Sequence, residues 1–153
     1  MRRVVRRLRV DRPVDTVFAA CIDLLRTADP ARGVVQRSVS PDPPVKSAVV
    51  QTTVRDRRGE RSLRATVVSL QPGVSVSTAT EGAPAVLTTL HCAATGDGAT
   101  LVTLTSEAEG TLSAFGRAGT VLDALLFASG QRRAARATLR RVAELSDRPN
   151  SSG

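Results

Sequence analysis

The chain has 153 residues, 41% hydrophobic and 24% charged, a balance that suits one soluble globular domain with a real core and excludes wholesale disorder. Three Phe and no Tyr or Trp leave Val, Leu and Ala to fill the interior, which excludes aromatic stacking as the means of holding a ligand. The net charge is +8, and Lys46 is the one basic residue that is not an arginine.

Val4, Leu8 and Val10 alternate with Val5, Arg7 and Arg9 at the period of a half-buried strand. Pro13 then supplies a φ suited to the first helical position. Val14, Val17, Phe18, Cys21, Ile22 and Leu25 follow at helical spacing, with Asp15 in the first turn, where the helix dipole favours a carboxylate. A polar linker through Gly33 has room for another helical turn, and Val34 to Val39 reads as a short strand ended by Ser40-Pro41-Asp42-Pro43-Pro44.

Five further strands are expected at 48–55, 61–70, 74–80, 85–94 and 100–109, separated by turns bearing Gly59, Gly73, Gly82 and Gly96. Such short connections leave no space for crossover helices, so the sheet is expected to be an antiparallel meander. From about Ser113 to Leu145 the period becomes helical, with an apolar first half and a second half in which Ala135, Leu139, Val142 and Ala143 lie opposite arginines. Residues 1–146 are expected to form one domain, and 147–153 a disordered tail.

Cys21 and Cys92 have no metal-type spacing and suggest reduced thiols in a cytoplasmic protein. No apolar run approaches the ~18 residues that span a bilayer, and no apolar core of signal-peptide type follows the basic start. Phosphate-loop, dinucleotide, zinc-protease and nucleophile-elbow motifs do not occur, so no cofactor and no metal are expected.

The element order, together with Arg12-Pro13 followed by Val17-Phe18, Gly98-Ala99-Thr100 and a final helix ending Leu139 to Leu145, resembles the START/Bet v 1-like superfamily and its polyketide cyclase/dehydrase members. The resemblance implies an α+β helix-grip fold: a curved antiparallel sheet of about seven strands wrapped around the long C-terminal helix, with an internal cavity. It also implies a hydrophobic small-molecule ligand. The leading function is cyclisation or dehydration of a biosynthetic intermediate without a cofactor, and the alternative is a non-enzymatic carrier or sensor of a hydrophobic ligand.

Within that cavity His91, the one histidine, is the candidate proton-transfer group. A lone strand histidine also serves on solvated faces. Its neighbour Cys92 must point to the opposite side of the sheet. Arg6 shares the parity of Val4, Leu8 and Val10 and is a candidate oxyanion partner, as is Arg64 with less force. Glu107, Thr89 and Thr66 are candidate polar contacts for the ligand, and Phe115, Leu122 and Leu126 on the terminal helix are candidate apolar ones. Any ion pair of Glu107 must come from another element, because its own strand carries no Arg or Lys.

Arg132, Arg136 and Arg140 form a ridge on the last helix, either a wet face or a dock for an acidic acyl carrier protein. A third reading is a basic adaptor binding an acidic protein or nucleic acid. Nucleic acid is disfavoured, because there is no recognition-helix pattern and no stacking platform. The chain is expected to be a monomer or homodimer.

Overall fold

The structure is a computed structural model and describes residues 2–57, 59–81, 85–108 and 132–148. β1 (Arg2–Val10) leads into α1 (Val14–Leu24) through Pro13, which holds φ −62° and ψ 154° at the N-cap. Its ring fixes φ, but ψ remains extended, so Pro13 stands one position ahead of the helix rather than first within it. α1 buries Val17, Ala20, Cys21 and Leu24; Val17 and Cys21 are on the face the spacing marked out, whereas Val14, Phe18 and Ile22 are half-buried and the buried face turns toward Ala20 and Leu24.

The linker does form another helical turn, a 3-10 turn at Pro30–Arg32. Gly33 follows at φ +78°, a conformation that favours glycine, and a Cβ there would stand 2.6 Å from the Arg55 carbonyl oxygen. That close approach lets the Arg55 N–H donate to the Gly33 carbonyl at 2.7 Å, fastening the start of the next strand. β2 (Val34–Ser40), β3 (Val49–Asp56), β4 (Gly59–Gln71), β5 (Ser75–Thr80), β6 (Val86–Ala94) and β7 (Thr100–Ala108) complete a seven-stranded antiparallel sheet. Its order is β1-β7-β6-β5-β4-β3-β2, so β1 and β2 are the two edges and α1 spans between them.

The C-terminal helix, α2, is helical over 132–146 and buries Ala135, Leu139, Val142 and Leu145. These join Val17 and Cys21 of α1 and Val50, Val67, Val76, Leu90, Val102 and Leu104 of the sheet in one core. Each fully buried Val or Leu contributes about 1.5–3 kcal/mol, and in a chain so poor in aromatics these aliphatic contacts carry the fold. The arrangement is the expected helix-grip: a curved sheet closed on one face by α1 and the C-terminal helix.

Register fixes which side chains face the helices. On β7 they are Thr100, Val102, Leu104, Ser106 and Ala108, and their partners Leu90 and Cys92 on β6 and Val4 and Leu8 on β1 share that face. On β5 Val76 and Thr78 do so, paired with Leu90 and Thr88. β4 carries a bulge between Val67 and Ser69, which puts both Val67 and Leu70 inward and leaves Val68 exposed. Among the described residues no helix is long and apolar enough to cross a membrane.

Candidate functional site

Between the C-terminal end of α1, the 3-10 turn, α2 and the inner face of β2 to β6 lies a cleft of about 260 Å³. Its aliphatic wall is Leu24, Leu25, Val34, Val50 and Ala65, and its hydroxyls come from Thr52, Thr78, Thr88 and Thr138. Two guanidinium groups also reach it, Arg32 and Arg37. An apolar wall with a few convergent polar groups is the usual make-up of a small-molecule site.

Arg37 is the residue that the sequence reading missed. It lies on β2 opposite Thr52 of β3, two residues before Val39, and both pairs Arg37–Thr52 and Val39–Val50 face inward. Its Nη1 donates to the Leu24 carbonyl at 2.8 Å and its Nε to Thr52 Oγ1 at 3.3 Å. The Leu24 carbonyl belongs to the last turn of α1, where the helix dipole welcomes a cation. Burial first, then the like charges of Arg32 and Arg141, push the Arg37 pKa below the ordinary guanidinium value, and Asp29 opposes them. The group stays charged at neutral pH, but without the solvation that most arginines have.

The surrounding charges are already matched. Arg32 Nε donates to buried Asp29, and Arg141 pairs with Glu144 at 3.0 Å while its Nη2 donates to the Ala28 carbonyl at 3.1 Å. Among the described residues no carboxylate lies within ion-pair distance of Arg37. No His, Cys, Asp or Glu is among the residues lining the cleft, so what the described lining offers is hydrogen-bond donation and positive potential, not a proton acceptor.

The expected site residues are distributed differently. His91 is exposed on the face away from the helices, because Leu90 and Cys92 on either side of it point inward; this corrects the expectation of a histidine in the cavity. Thr89 shares that outer face and hydrogen-bonds Ser77 Oγ at 2.8 Å. Thr66 and Arg64 also face outward on β4, opposite in phase to Ala65, and Arg64 lies 3.5 Å from Glu81.

Glu107 faces outward from β7 and meets Arg3 of β1 at 3.6 Å, the neighbouring-element partner that its strand required. Arg6 does share the inner face with Val4 and Leu8 and is half-buried, with Nε unpartnered, but it stands on the far edge strand and does not line the cleft. Phe115, Leu122 and Leu126 lie outside the described residues.

One further pair is close. Cys21 Sγ of α1 and Cys92 Sγ of β6 are 3.7 Å apart and buried, and both thiols are free. The hydrogen bond to Cys92, then burial, pushes the Cys21 thiol upward, so at neutral pH it is a protonated packing group.

A sequence profile described as polyketide cyclase / dehydrase and lipid transport matches residues 1–147. A comparison with curated proteins gives no match. Among solved structures, the Zhui aromatase/cyclase from Streptomyces sp. R1128 is 18% identical with a TM-score of 0.71, the match covering 99% of this chain and 98% of that one. The di-domain ARO/CYC BexL from the BE-7585A biosynthetic pathway is 15% identical with a TM-score of 0.72 over 97% of this chain, which spans about half (51%) of that protein. Truncated norcoclaurine synthase from Thalictrum flavum is 11% identical with a TM-score of 0.69, covering 97% of this chain and 95% of that one. At these identities the structural likenesses speak for the fold.

Proposed function

This chain belongs to the polyketide cyclase / dehydrase and lipid transport family, and from that premise we propose that its cleft binds a hydrophobic, oxygen-bearing biosynthetic intermediate and promotes its cyclisation or dehydration. The observation that carries the reading is Arg37, a half-buried guanidinium set in a wall of aliphatic side chains and threonine hydroxyls. A flexible chain folded against that wall gains the rate advantage of orientation, since its reacting carbons are held together rather than meeting by diffusion. As an enol carbon adds to a carbonyl carbon, a C–C bond forms and the C=O π pair moves onto oxygen. A guanidinium N–H in a poorly solvated cleft stabilises that charge, and water takes the enol proton and returns one to the new alkoxide.

The lack of a proton acceptor among the described lining residues favours one second reading, a carrier or sensor that holds the same ligand without turning it over. The two separate in an assay of product formation from a linear polyketone analogue. Arg37→Met lowers the rate by about 100-fold if the guanidinium stabilises the transition state, the usual effect of removing one oxyanion donor. An unchanged rate removes Arg37 from the chemistry, and no turnover above the uncatalysed rate by the unaltered protein establishes the carrier.

Presentation of the ligand by an acidic acyl carrier protein is part of the proposal. Arg132, Arg133, Arg136 and Arg140 are exposed on α2, and among the described residues none of the four has a carboxylate within ion-pair distance. The neighbouring Arg141, one turn from the cleft residue Thr138, is by contrast paired.

A further inference from the structure

Among its described residues the cleft has one more positive charge than they answer. Arg32, Arg37 and Arg141 stand together at the end formed by the 3-10 turn, β2 and α2, and two carboxylates are among them. Asp29 is taken by Arg32 and Glu144 by Arg141, so Arg37 is left with a backbone carbonyl and a hydroxyl as its partners. Holding a half-buried cation on neutral acceptors beside two like charges is costly, and an anion entering the cleft would offset that cost.

The other features say what completes it. Arg37 lines the cleft, so the missing anion comes from whatever occupies the cleft. Exposed Arg32 stands at the mouth with only its Nε committed to Asp29, and two adjacent planar forks match the two oxygens of a carboxylate better than a point acceptor. Leu24, Leu25, Val34, Val50 and Ala65 line the same space and require an apolar body behind that head group. A volume of about 260 Å³ restricts the body to one or two rings or an equivalent chain.

We infer that the cleft selects hydrophobic carboxylic acids in their ionised form, the carboxylate resting between Arg37 and Arg32 and the apolar body against the α1–β3–β4 wall. This rests on the reading of the cleft as the ligand site and adds the chemical class of a ligand held there as the free acid, not as a carrier-bound thioester, which has no ionised carboxyl to offer. Burial and the two neighbouring arginines, which depress the Arg37 pKa, act in the same sense, since an anion there relieves both.

The test uses the intact chain and isothermal titration at neutral pH with 2-naphthoate, its neutral isostere 2-naphthamide, and acetate. The naphthoate is expected to bind about 10- to 100-fold more tightly than the amide, the range supplied by a charge-assisted hydrogen bond. Acetate, lacking the apolar body, binds far more weakly than either. Arg37→Met abolishes the preference for the acid, lowering acid affinity far more than amide affinity, and Arg37→Lys, which keeps the charge without the fork, retains part of that preference.

Equal binding of acid and amide, or a preference that survives in Arg37→Met, overturns the inference while leaving the cleft as a ligand site. Acetate binding as tightly as naphthoate also overturns it, because the site is then a bare anion site. Binding of neither naphthalene probe overturns both the inference and the reading beneath it.

Discussion

The two edges of the sheet use arginine in opposite ways. β1 carries five arginines and β2 carries one, yet the candidate site forms at β2. Arg3 and Arg9 point away from the helices and meet Glu107 in one case and Asp11 and Asp97 in the other. Arg37 points inward and meets no carboxylate among the described residues. Arg6 of β1 also points inward with its Nε unpartnered, but it does not line the cleft, so what gives an arginine a chemical role is an inward phase together with a place on the cleft wall. Exposed pairs such as Arg9–Asp97 are screened by water and contribute little.

Substitution at both edges would break the comparison most sharply. Beside the 100-fold loss expected for Arg37→Met in product formation, Arg7→Met on the outer face of β1 should leave the rate within about twofold. Equal losses in the two variants would mean that general positive charge, not the cleft, supports activity.

Gly33 supplies the next largest effect, because it fixes where β2 begins and so where Arg37 points. Gly33→Ala should destabilise the fold by about 2 kcal/mol or more, the combined cost of positive φ and contact with the Arg55 carbonyl, read as a lowered denaturation midpoint. A midpoint equal to that of the unaltered chain would show that the β2 edge does not depend on this turn.

A smaller effect concerns the contact between α1, which joins the two edges, and β6. Cys21 is pushed above the ordinary thiol range in the folded state, so the unfolded chain ionises first as pH rises. Its contribution to stability declines as pH rises past the ordinary thiol value, and Cys92, which the same hydrogen bond lowers, offsets part of that decline. The chain has no Tyr and a single Lys, so few other groups obscure this slope in thermal melts between pH 7 and 10. Cys21→Ala should flatten it, and a slope unchanged in that variant would assign the alkaline loss elsewhere.

The smallest effect is at the β1 edge. Asp97, held by the Thr95 hydroxyl first and by Arg9 next, is lowered to about 2. The stabilisation from that loop is present above pH 4 and is lost as pH falls through about 2. Carboxyl NMR titration of Asp97 checks it, an ordinary Asp value near 3.9 contradicting the loop geometry.

Much of the fold is legible in the sequence because turn residues and apolar spacing are local. The start of α1 just after Pro13, the turns at Gly73 and Gly96 and the Ala135, Leu139, Val142 stripe lie close to where the pattern puts them, and the inward phase of Arg6 follows from Val4 and Leu8. The site was less legible because most strands carry apolar residues on both phases. On β6, Leu87 faces out while Leu90 and Cys92 face in, so the sequence alone does not say whether His91 enters the cavity.

The bulge at Val68 places Val67 and Leu70 on one side, an odd spacing that makes the phase of Arg64 and Thr66 ambiguous. A second irregularity between Val34 and Gln36 hides Arg37 in the same way. Counting back from Val39 would have found it. Glu107 was legible too, since Val102 and Leu104 set the inner phase of β7.

The account stands on the claim that Arg37, not the arginines of β1, meets the ligand. Side-chain NMR of the arginine Nε–H groups during titration with 2-naphthoate tests this most directly. A saturable shift of the Arg37 signal is expected, with the Arg6, Arg7 and Arg9 signals unmoved. A saturable shift at Arg7 or Arg9 with Arg37 unchanged would contradict it.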